Sequence, residues 1–257
     1  MKITVLVENT TQGDLGTEHG LSLYIETGSH RVLFDTGQTD LFAENARKLG
    51  IRLETVDLAV LSHGHYDHGG GLRKFFEMNQ KAPVYISRYA FEPHYGADGK
   101  YIGLDNFLKE NSRFLFTEGI TKIGDGMTLY DCNDKERCDP INAGGLYTER
   151  EKKRIQDDFC HEQYLLLEEN GKKILISGCS HKGIVNIEEW FHPDVLIGGF
   201  HLFRLDADEK LQPIAQYLNS FPTIYYTCHC TGMEQYQYLS MYMDHLYYAS
   251  AGQTITL

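Results

Sequence analysis

The sequence predicts a layered α/β protein whose loops converge on a site at one edge of its sheets. Short apolar runs show the period of two, or the continuous burial, of strands, and short helical patterns lie between several of them. Polar clusters follow several of these runs, as is common where loops carry function. Neither a repeat nor a linker interrupts the sequence, so we expect a single domain over residues 1–257.

Strand-like and helical patterns follow one another along the chain. The strand-like runs are KITVLVE, LSLYIET, HRVLFDTG, DLAVLSHG, PVYIS, EQYLLLEEN, KKILISGCS, DVLIGGF and TIYYTCH. Helical patterns occupy DLFAENARKLG, GGLRKFFEMNQ and GIVNIEEWF, and another begins near Asp206, which can form a capping box with Glu209. The segment from Ser87 to Tyr130 is less regular and rich in Tyr, Phe and Gly, which suits a lid or side wall over a site, or equally a packed flank.

Composition narrows the function classes. The net charge of −12 leaves no basic surface for the phosphates of a polymer, which disfavours nucleic-acid binding. No apolar stretch reaches the roughly 18 residues of a membrane helix, and the first residues, MKITVLVENT, are typical of a strand rather than a secretory leader. We therefore expect a cytoplasmic protein without membrane contact, whose six cysteines are reduced and include one candidate metal ligand. The sequence does not indicate the oligomeric state.

The segment AVLSHGHYDHGGGL crowds metal-binding side chains into one turn. An apolar strand ends at Ser62 and is followed by H-x-H-x-D-H. Strand alternation points His63 and His65 the same way, while Asp67 and His68 can face a second point nearby. Neutral imidazole suits zinc and also iron or manganese, and a carboxylate can orient a bound water. One loop can therefore serve two metal ions, although a surface cluster with an adventitious metal is the alternative.

This motif, with LFDTG upstream, resembles the metallo-β-lactamase superfamily. Downstream, FCHEQYLLLEENGKKILISGCSH and YYTCHCTG supply His161, Cys179 and His229 at the positions where that superfamily has further ligands. The strings DDFCHEQ, SGCSHKGIVNI, IGGFHL and CHCTG look most like the branch named for a dihydropterin methyl-ribofuranosylaminobenzene-phosphate synthase. The resemblance implies a four-layer αββα sandwich with the site at one edge of the two sheets.

The resemblance also implies a centre of two divalent ions, with zinc favoured and iron or manganese as alternatives. It places the ligands in two groups with Cys179 or a hydroxide between them: His63, His65 and His161, then Asp67, His68 and His229. Hydrolases of the superfamily most often carry an Asp where this chain has Cys179, and a thiolate favours zinc. His181 is an alternative ligand, and Cys179 could instead be a small buried hydrophobe. Cys228 and Cys230 flank His229, so alternation makes them structural.

The function expected from this centre is metal-dependent hydrolysis by a metal-bound hydroxide. Asp67 would aim that hydroxide, and His181 and His201 would serve as further catalytic groups. The resemblance gives Asp35 of the LFDTG motif a supporting role, in which it holds the metal loop by hydrogen bonds. A turn aspartate and structural histidines are the plain alternatives.

A small phosphorylated or heterocyclic substrate, such as a pterin-like molecule, is the expected partner. Backbone N–H groups from Ser180 to Gly183, with Lys182, could hold an anion at a helix N-terminus, although an ordinary loop fits this stretch equally well. Glu18 and His19 precede a strand and could line the same pocket.

Aromatic residues between Tyr85 and Phe116 could stack on a flat heterocycle, although aromatic residues more often build a core.

Two other functions compete with hydrolysis. Redox chemistry at a di-iron centre is disfavoured by Cys179 and by the lack of a flavin module. A metal-bearing sensor or binding protein without turnover is the second alternative.

Overall fold

The computed structural model describes residues 1–257 as three sheets, six α-helices and four short 3₁₀ turns. The strands, numbered along the chain, are β1 (Lys2–Val7), β2 (Ser22–Glu26), β3 (Arg31–Phe34), β4 (Leu58–Val60), β5 (Val84–Ser87), β6 (His94–Tyr95), β7 (Phe114–Thr117), β8 (Ile120–Gly124), β9 (Met127–Tyr130), β10 (Tyr147–Arg150), β11 (Lys153–Gln156), β12 (Tyr164–Glu169), β13 (Lys172–Gly178), β14 (Val195–Gly198), β15 (Ile224–Thr227), β16 (Leu246–Tyr248) and β17 (Thr254–Thr256). The helices are α1 (Leu41–Lys48), α2 (Tyr66–Gly69), α3 (Leu72–Met78), α4 (Ile184–Phe191), α5 (Gln212–Leu218) and α6 (Met233–Leu239). The 3₁₀ turns are Leu53–Thr55, Asn106–Leu108, Glu209–Leu211 and His229–Thr231.

Two seven-stranded sheets form the centre of the fold. Their spatial orders are β17-β1-β2-β3-β4-β5-β7 and β16-β15-β14-β13-β12-β9-β8, and β11-β10-β6 form a smaller third sheet. The first sheet is antiparallel from β17 to β3 and parallel from β3 to β7. The second is parallel from β13 to β16 and antiparallel from β13 to β8. The parallel strands place their carboxyl ends at a common edge.

Burial on both faces explains why the central strands are almost continuously apolar. In β12, Leu165 and Leu167 belong to the core shared by the two sheets, whereas Tyr164 and Leu166 face the helices outside. Helices α1 and α3 cover the outer face of the first sheet, and α4, α5 and α6 cover that of the second. The layers are therefore helix, sheet, sheet, helix, and the expected αββα sandwich is confirmed.

The loops that follow the parallel strands carry the polar clusters found in the sequence. The metal-binding motif follows β4, Cys179 follows β13, and His201 lies three residues after β14. The 3₁₀ turn that begins at His229 follows β15. These loops lie on two different sheets, and the face-to-face packing of the sheets brings them together.

The segment from Ser87 to Tyr130 has no single role. Residues 96–98 and 100–102 line the cavity above the polar cluster, as a side wall would. By contrast, β7 is an edge strand of the first sheet, and β8 and β9 form the edge of the second. Only the part between β5 and β7 therefore corresponds to the expected side wall, because the remainder completes the two sheets.

The helix expected near Asp206 starts later. Asp208, not Asp206, accepts the backbone N–H of Lys210 at the start of a 3₁₀ turn, and α5 follows from Gln212 with Pro213 in its first turn. The proline has no N–H to donate, so the first turn is where a helix tolerates it. No helix of the chain is both long and apolar enough to cross a membrane.

Candidate metal centre

Nine of the twelve histidines form one network of adjacent rings at the sheet edge. The network contains His19, His63, His65, His68, His94, His161, His181, His201 and His229. All of them except His19 and His201 are buried. Neutral imidazole offers one lone pair and one N–H, so the partner of the outer nitrogen decides what the inner nitrogen presents.

Asp35 fixes the proton of His68. Its Oδ2 lies 2.7 Å from His68 Nδ1 and also accepts the hydroxyl of Ser62 at 2.7 Å, while its Oδ1 accepts the Ser62 backbone N–H. A carboxylate only accepts, so Nδ1 of His68 carries the hydrogen and Nε2 faces inward. Asp35 therefore both orients a histidine and anchors the start of the loop.

His229 is oriented in the same way from the other sheet. Its Nδ1 lies 2.9 Å from Asn9 Oδ1, which leaves Nε2 directed inward, and its backbone N–H donates to Glu8. The two inward atoms, His68 Nε2 and His229 Nε2, are 3.2 Å apart. Two lone pairs repel at this distance, so a cation or a proton must lie between them. Burial lowers the pKa of His68, but Asp35 and Asp67 raise it to about 9, so the pair holds a proton in the metal-free chain.

His63 is held as a ligand by its neighbour. The Ser62 hydroxyl gives its only hydrogen to Asp35, so it must accept from His63 Nδ1, which is 2.8 Å away. The inward Nε2 of His63 lies 3.3 Å from His181 Nε2. Burial lowers the pKa of both imidazoles well below the usual range, and the surrounding histidines lower it further. Both rings are therefore neutral, as metal binding requires.

His161 does not have the geometry expected of a ligand. Its Nδ1 accepts the backbone N–H of Gly64 at 2.9 Å, so the neutral ring carries its hydrogen on Nε2, which lies 3.4 Å from Asp157 Oδ2. Burial lowers the pKa of His161 to about 4, which keeps it neutral. The sequence-based grouping of His161 with His63 and His65 is thus not supported, because a backbone donor uses the lone pair that would bind metal.

Cys179 lies between the groups formed by the two loops. Its Sγ is 3.1 Å from His68 Nε2, and it shares one candidate cluster with His63 and His181 and another with His68 and His229. Cys179 and His181 therefore both lie at the centre. Burial raises the pKa of the Cys179 thiol well above its usual value, so a nearby cation is needed to hold the thiolate.

Cys230 also faces this site, which the sequence did not predict. It forms a candidate cluster with Cys179 and His201, and its Sγ donates to the Cys179 carbonyl. Strand alternation had predicted that Cys230 points away from the site. The rule does not apply to Cys230 because His229–Thr231 is a 3₁₀ turn and not a strand. Cys228 does lie in the core between the sheets, as expected.

The loop after Cys179 does not offer the anion site predicted from its sequence. The backbone N–H groups of His181 and Lys182 donate to the carboxylate of Glu162 at 2.7 and 3.0 Å. Lys182 is fully buried, and its Nζ donates to the carbonyls of Asp131 and Glu162. The Ser180 hydroxyl donates to Ser177. An internal carboxylate thus occupies these donors, so Ser180 and Lys182 build the loop and do not meet a substrate.

The donor set fits divalent cations. Among buried side-chain nitrogens and oxygens, seven have no hydrogen-bond partner, and five of these are imidazole nitrogens of the network. They belong to His65, His94, His161, His181 and His201. The Nε2 of His161 faces Asp157 at 3.4 Å, but the other four nitrogens belong to residues of the candidate ligand clusters at this edge. Because buried polar atoms are normally satisfied, these four unpartnered nitrogens fit a site that holds divalent cations.

The sequence model of the metallo-beta-lactamase superfamily matches residues 15–200, which is most of the chain. The chain belongs to this superfamily. The solved structure of Tm1679, described as a metal-dependent hydrolase of the beta-lactamase superfamily, is 32% identical with a TM-score of 0.83, over 100% of this chain and 99% of that one. YhfI from Bacillus subtilis, with a TM-score of 0.62 and 12% identity over 99% of each chain, shares the fold alone.

Two relatives come from Methanocaldococcus jannaschii. The uncharacterized protein MJ0448 is 31% identical over 98% of this chain and 99% of its own length. The 7,8-dihydropterin-6-methyl-4-(β-D-ribofuranosyl)-aminobenzene-5′-phosphate synthase is 29% identical over 85% of this chain and 82% of its own. The resemblance to the superfamily, and to the branch named for this synthase, is therefore confirmed.

A cavity of about 510 Å³ opens above this metallo-β-lactamase-type centre. Asp67, His181 and His229 form part of its floor, and His19 and His201 line it too. The rim carries three partly exposed aromatic residues and two cations: Tyr66, Tyr101, Phe203, Lys100 and Arg204. Lys100 forms an ion pair with Asp98, which also lines the cavity, so Arg204 is the rim cation without a carboxylate partner, and the buried Lys182 does not line the cavity.

Proposed function

We propose that this member of the metallo-β-lactamase superfamily is a hydrolase with a dinuclear, zinc-preferring centre that acts on a small phosphorylated substrate. The observation that carries the proposal is the 3.2 Å approach of His68 Nε2 and His229 Nε2, each held inward by an oxygen on its outer nitrogen. The adjacent Cys179 sulfur favours zinc over harder ions. When bound, two divalent cations would supply Lewis acidity and lower the pKa of a water towards neutrality.

Asp67 would orient the reacting groups from the cavity floor. Burial raises its pKa, but His68, His19 and His229 lower it well below the usual range, so the carboxylate is ionised. Its Oδ2 lies 3.3 Å from His19 Nε2 and 3.4 Å from His229 Nε2. It can therefore accept a hydrogen bond from a water on the cavity side and hold that water in one direction.

His201 is the proposed proton donor to the leaving group. Its ring lies 4.1 Å from that of His181 and lines the cavity, and its Nδ1 has no partner. Arg204 at the rim would bind a phosphate and hold the scissile bond over the floor, whereas Lys100 is paired with Asp98.

Hydrolysis of bis-p-nitrophenyl phosphate tests the proposal. Protein treated with a chelator and reloaded with zinc, manganese or iron should hydrolyse it only after reloading, and most rapidly with zinc. Asp67→Asn should lower kcat by at least about 100-fold, whereas replacing the exposed His245 by Ala should not. Absence of turnover with every loaded metal on phosphodiesters, phosphomonoesters and carboxylic esters would contradict it and favour a binding protein.

The likeness to the archaeal synthase extends the proposal to heterocyclic phosphates, such as a dihydropterin phosphate. Tyr66, Tyr101 and Phe203 expose ring surface at the rim on which a flat ring system can stack. Arg204→Ala should raise KM for an aryl phosphate with little effect on kcat, because the guanidinium binds substrate and transition state alike. Replacement of the distant, exposed Arg52 by Ala is the matched control. Equal KM values in both variants would remove Arg204 from the substrate site.

We also propose a cytoplasmic location and small-molecule partners. All six cysteines are free, which suits a reducing compartment. The net charge of −12 opposes binding to nucleic acid.

A further inference from the structure

A further group of metal-binding side chains lies beside the motif loop. Ligand atoms of His65, His94, Asp157 and His161 all lie within 4.8 Å of one another, and all four residues are buried. His94 begins β6, whereas Asp157 and His161 lie between β11 and β12. Neither His94 nor Asp157 belongs to the ligand set that the sequence motifs implied.

His94 is oriented like the ligands described above. Its Nδ1 lies 2.9 Å from Asp157 Oδ2, while Asp157 Oδ1 accepts the backbone N–H of Phe159. The carboxylate only accepts, so Nδ1 of His94 carries the hydrogen and Nε2 bears the lone pair. That Nε2 is buried and has no partner in the chain. A carboxylate behind one nitrogen and a free lone pair on the other is the usual arrangement of a metal-binding histidine.

His65 places a second buried imidazole nitrogen beside this one. Its Nε2 is also buried without a partner, and the rings of His65 and His94 are 5.4 Å apart and nearly perpendicular. His161 differs from both, because its Nδ1 lone pair is used by the Gly64 N–H and its Nε2 faces Asp157. The ring thus ties the motif loop to the carboxylate that orients His94.

We propose that His94 is a metal ligand in this chain, sharing a divalent ion with His65, and that His161 is a positioning residue. The ion belongs to the borderline class that prefers imidazole, such as zinc or cobalt. This inference rests on the metal centre of the proposed function and adds a ligand to it. Its test measures metal binding alone, so a failure to hydrolyse esters would contradict the proposed hydrolase activity and leave the assignment of His94 unchanged.

Cobalt(II) binding to the chelator-treated full chain tests the ligand. His94→Asn retains a donor amide near the place of Nδ1, which can still bind Asp157, but has no Nε2. If His94 is a ligand, this variant should lose one equivalent of cobalt, or bind it at least about 100-fold more weakly, and its visible absorption should change. A purely structural His94 predicts wild-type stoichiometry and spectrum in His94→Asn, and that result would overturn the proposal. The exposed His245→Asn is the matched control.

Variants of His161 test its positioning role in the same cobalt-binding assay. His161→Ala should weaken cobalt binding by about 10–100-fold with an unchanged absorption spectrum, because the ligands stay the same. His161→Asn places an acceptor oxygen near the Gly64 N–H and should restore affinity. Loss of one cobalt in both His161 variants, together with wild-type binding in His94→Asn, would assign the ligand to His161 instead. Far-UV circular dichroism and urea midpoints of each variant identify any loss of fold, and a wild-type chain that binds no cobalt would refute both this inference and the proposed function.

Discussion

Glu162 is expected to hold the loop that carries Cys179 and His181, and Glu162→Gln removes its charge at constant size. The carboxylate is fully buried and accepts three hydrogen bonds: from the backbone N–H groups of His181 and Lys182 and from the hydroxyl of Tyr164. Each of its two oxygens faces at least one donor. A glutamine amide has one oxygen and one NH₂ group, so one backbone N–H of the loop must face another donor.

The magnitude follows from two losses. A hydrogen bond to a charged group contributes about 1.5–3 kcal/mol, and a buried donor left without a partner costs about 1–3 kcal/mol. The buried ammonium of Lys182 donates to the backbone carbonyl of Glu162 and not to its carboxylate, so the lost attraction between the two charges adds little to these two losses. Burial raises the pKa of Glu162 despite Lys182, so the carboxylate is itself costly to bury. We therefore expect the lower end, about 3 kcal/mol.

Urea unfolding of the metal-free protein at pH 8, followed by circular dichroism, measures this loss. Glu168→Gln, on the strand that follows Glu162 but exposed, is the control and should change stability by less than about 0.5 kcal/mol. Zinc affinity should fall by about 10–100-fold in Glu162→Gln because the ligand loop loses its anchor. A free energy of unfolding within about 1 kcal/mol of wild type would refute the assigned role of Glu162.

Three further changes have defined outcomes. Asp35→Asn should weaken zinc binding by about 10–100-fold in a chelator competition, because the carboxylate orients His68, while the exposed Asp57→Asn should have no effect. Burial raises the pKa of Glu188 even though its carboxyl group accepts a hydrogen bond from the Thr223 hydroxyl. The protonated carboxyl group therefore contributes stability that is fully present below the unfolded pKa and is lost as pH rises through the folded pKa. Urea unfolding should thus show Glu188→Gln gaining about 1 kcal/mol over wild type at pH 8 and less at pH 5; an equal gain at both would contradict this. Zinc at 100 times its Kd should stabilise the metal-free chain by about 2.7 kcal/mol in the same assay, and an unchanged urea midpoint would argue against a metal centre.

The sequence predicted the fold because its layers leave a local signal. Strands such as β12 and β13 are apolar on both faces, and the turn residues that end them are close in sequence. The motif from His63 to His68 could be predicted because it is also local in sequence. The end of one strand and one short helix carry all of its candidate ligands. The resemblance to the superfamily pointed to Cys179 and His229, and both lie just after parallel strands of the second sheet.

The rest of the site depends on contacts that no local pattern reveals. His94 stands alone in FEPHYGAD, and its orienting partner Asp157 lies 63 residues away, between β11 and β12. The SGCSHKG loop has the composition of an anion site, but the anion that fills it is Glu162, 19 residues upstream of His181. Composition shows that a loop can donate hydrogen bonds and cannot show which acceptor occupies them.

The group behind each histidine decides whether that histidine binds metal. An acceptor oxygen behind the ring frees the inner nitrogen, as Ser62 does for His63 and Asp157 for His94. A backbone N–H behind the ring uses the lone pair, as Gly64 does for His161 across 97 residues. His63 has its partner one residue away, and strand alternation was enough to place it. For His94 and His161 the partner is distant, so the sequence motif assigned the ligand role to His161, whereas the proposal above assigns it to His94. The number of histidines in the motif therefore predicts that a metal centre exists, whereas the outer hydrogen bonds select its ligands.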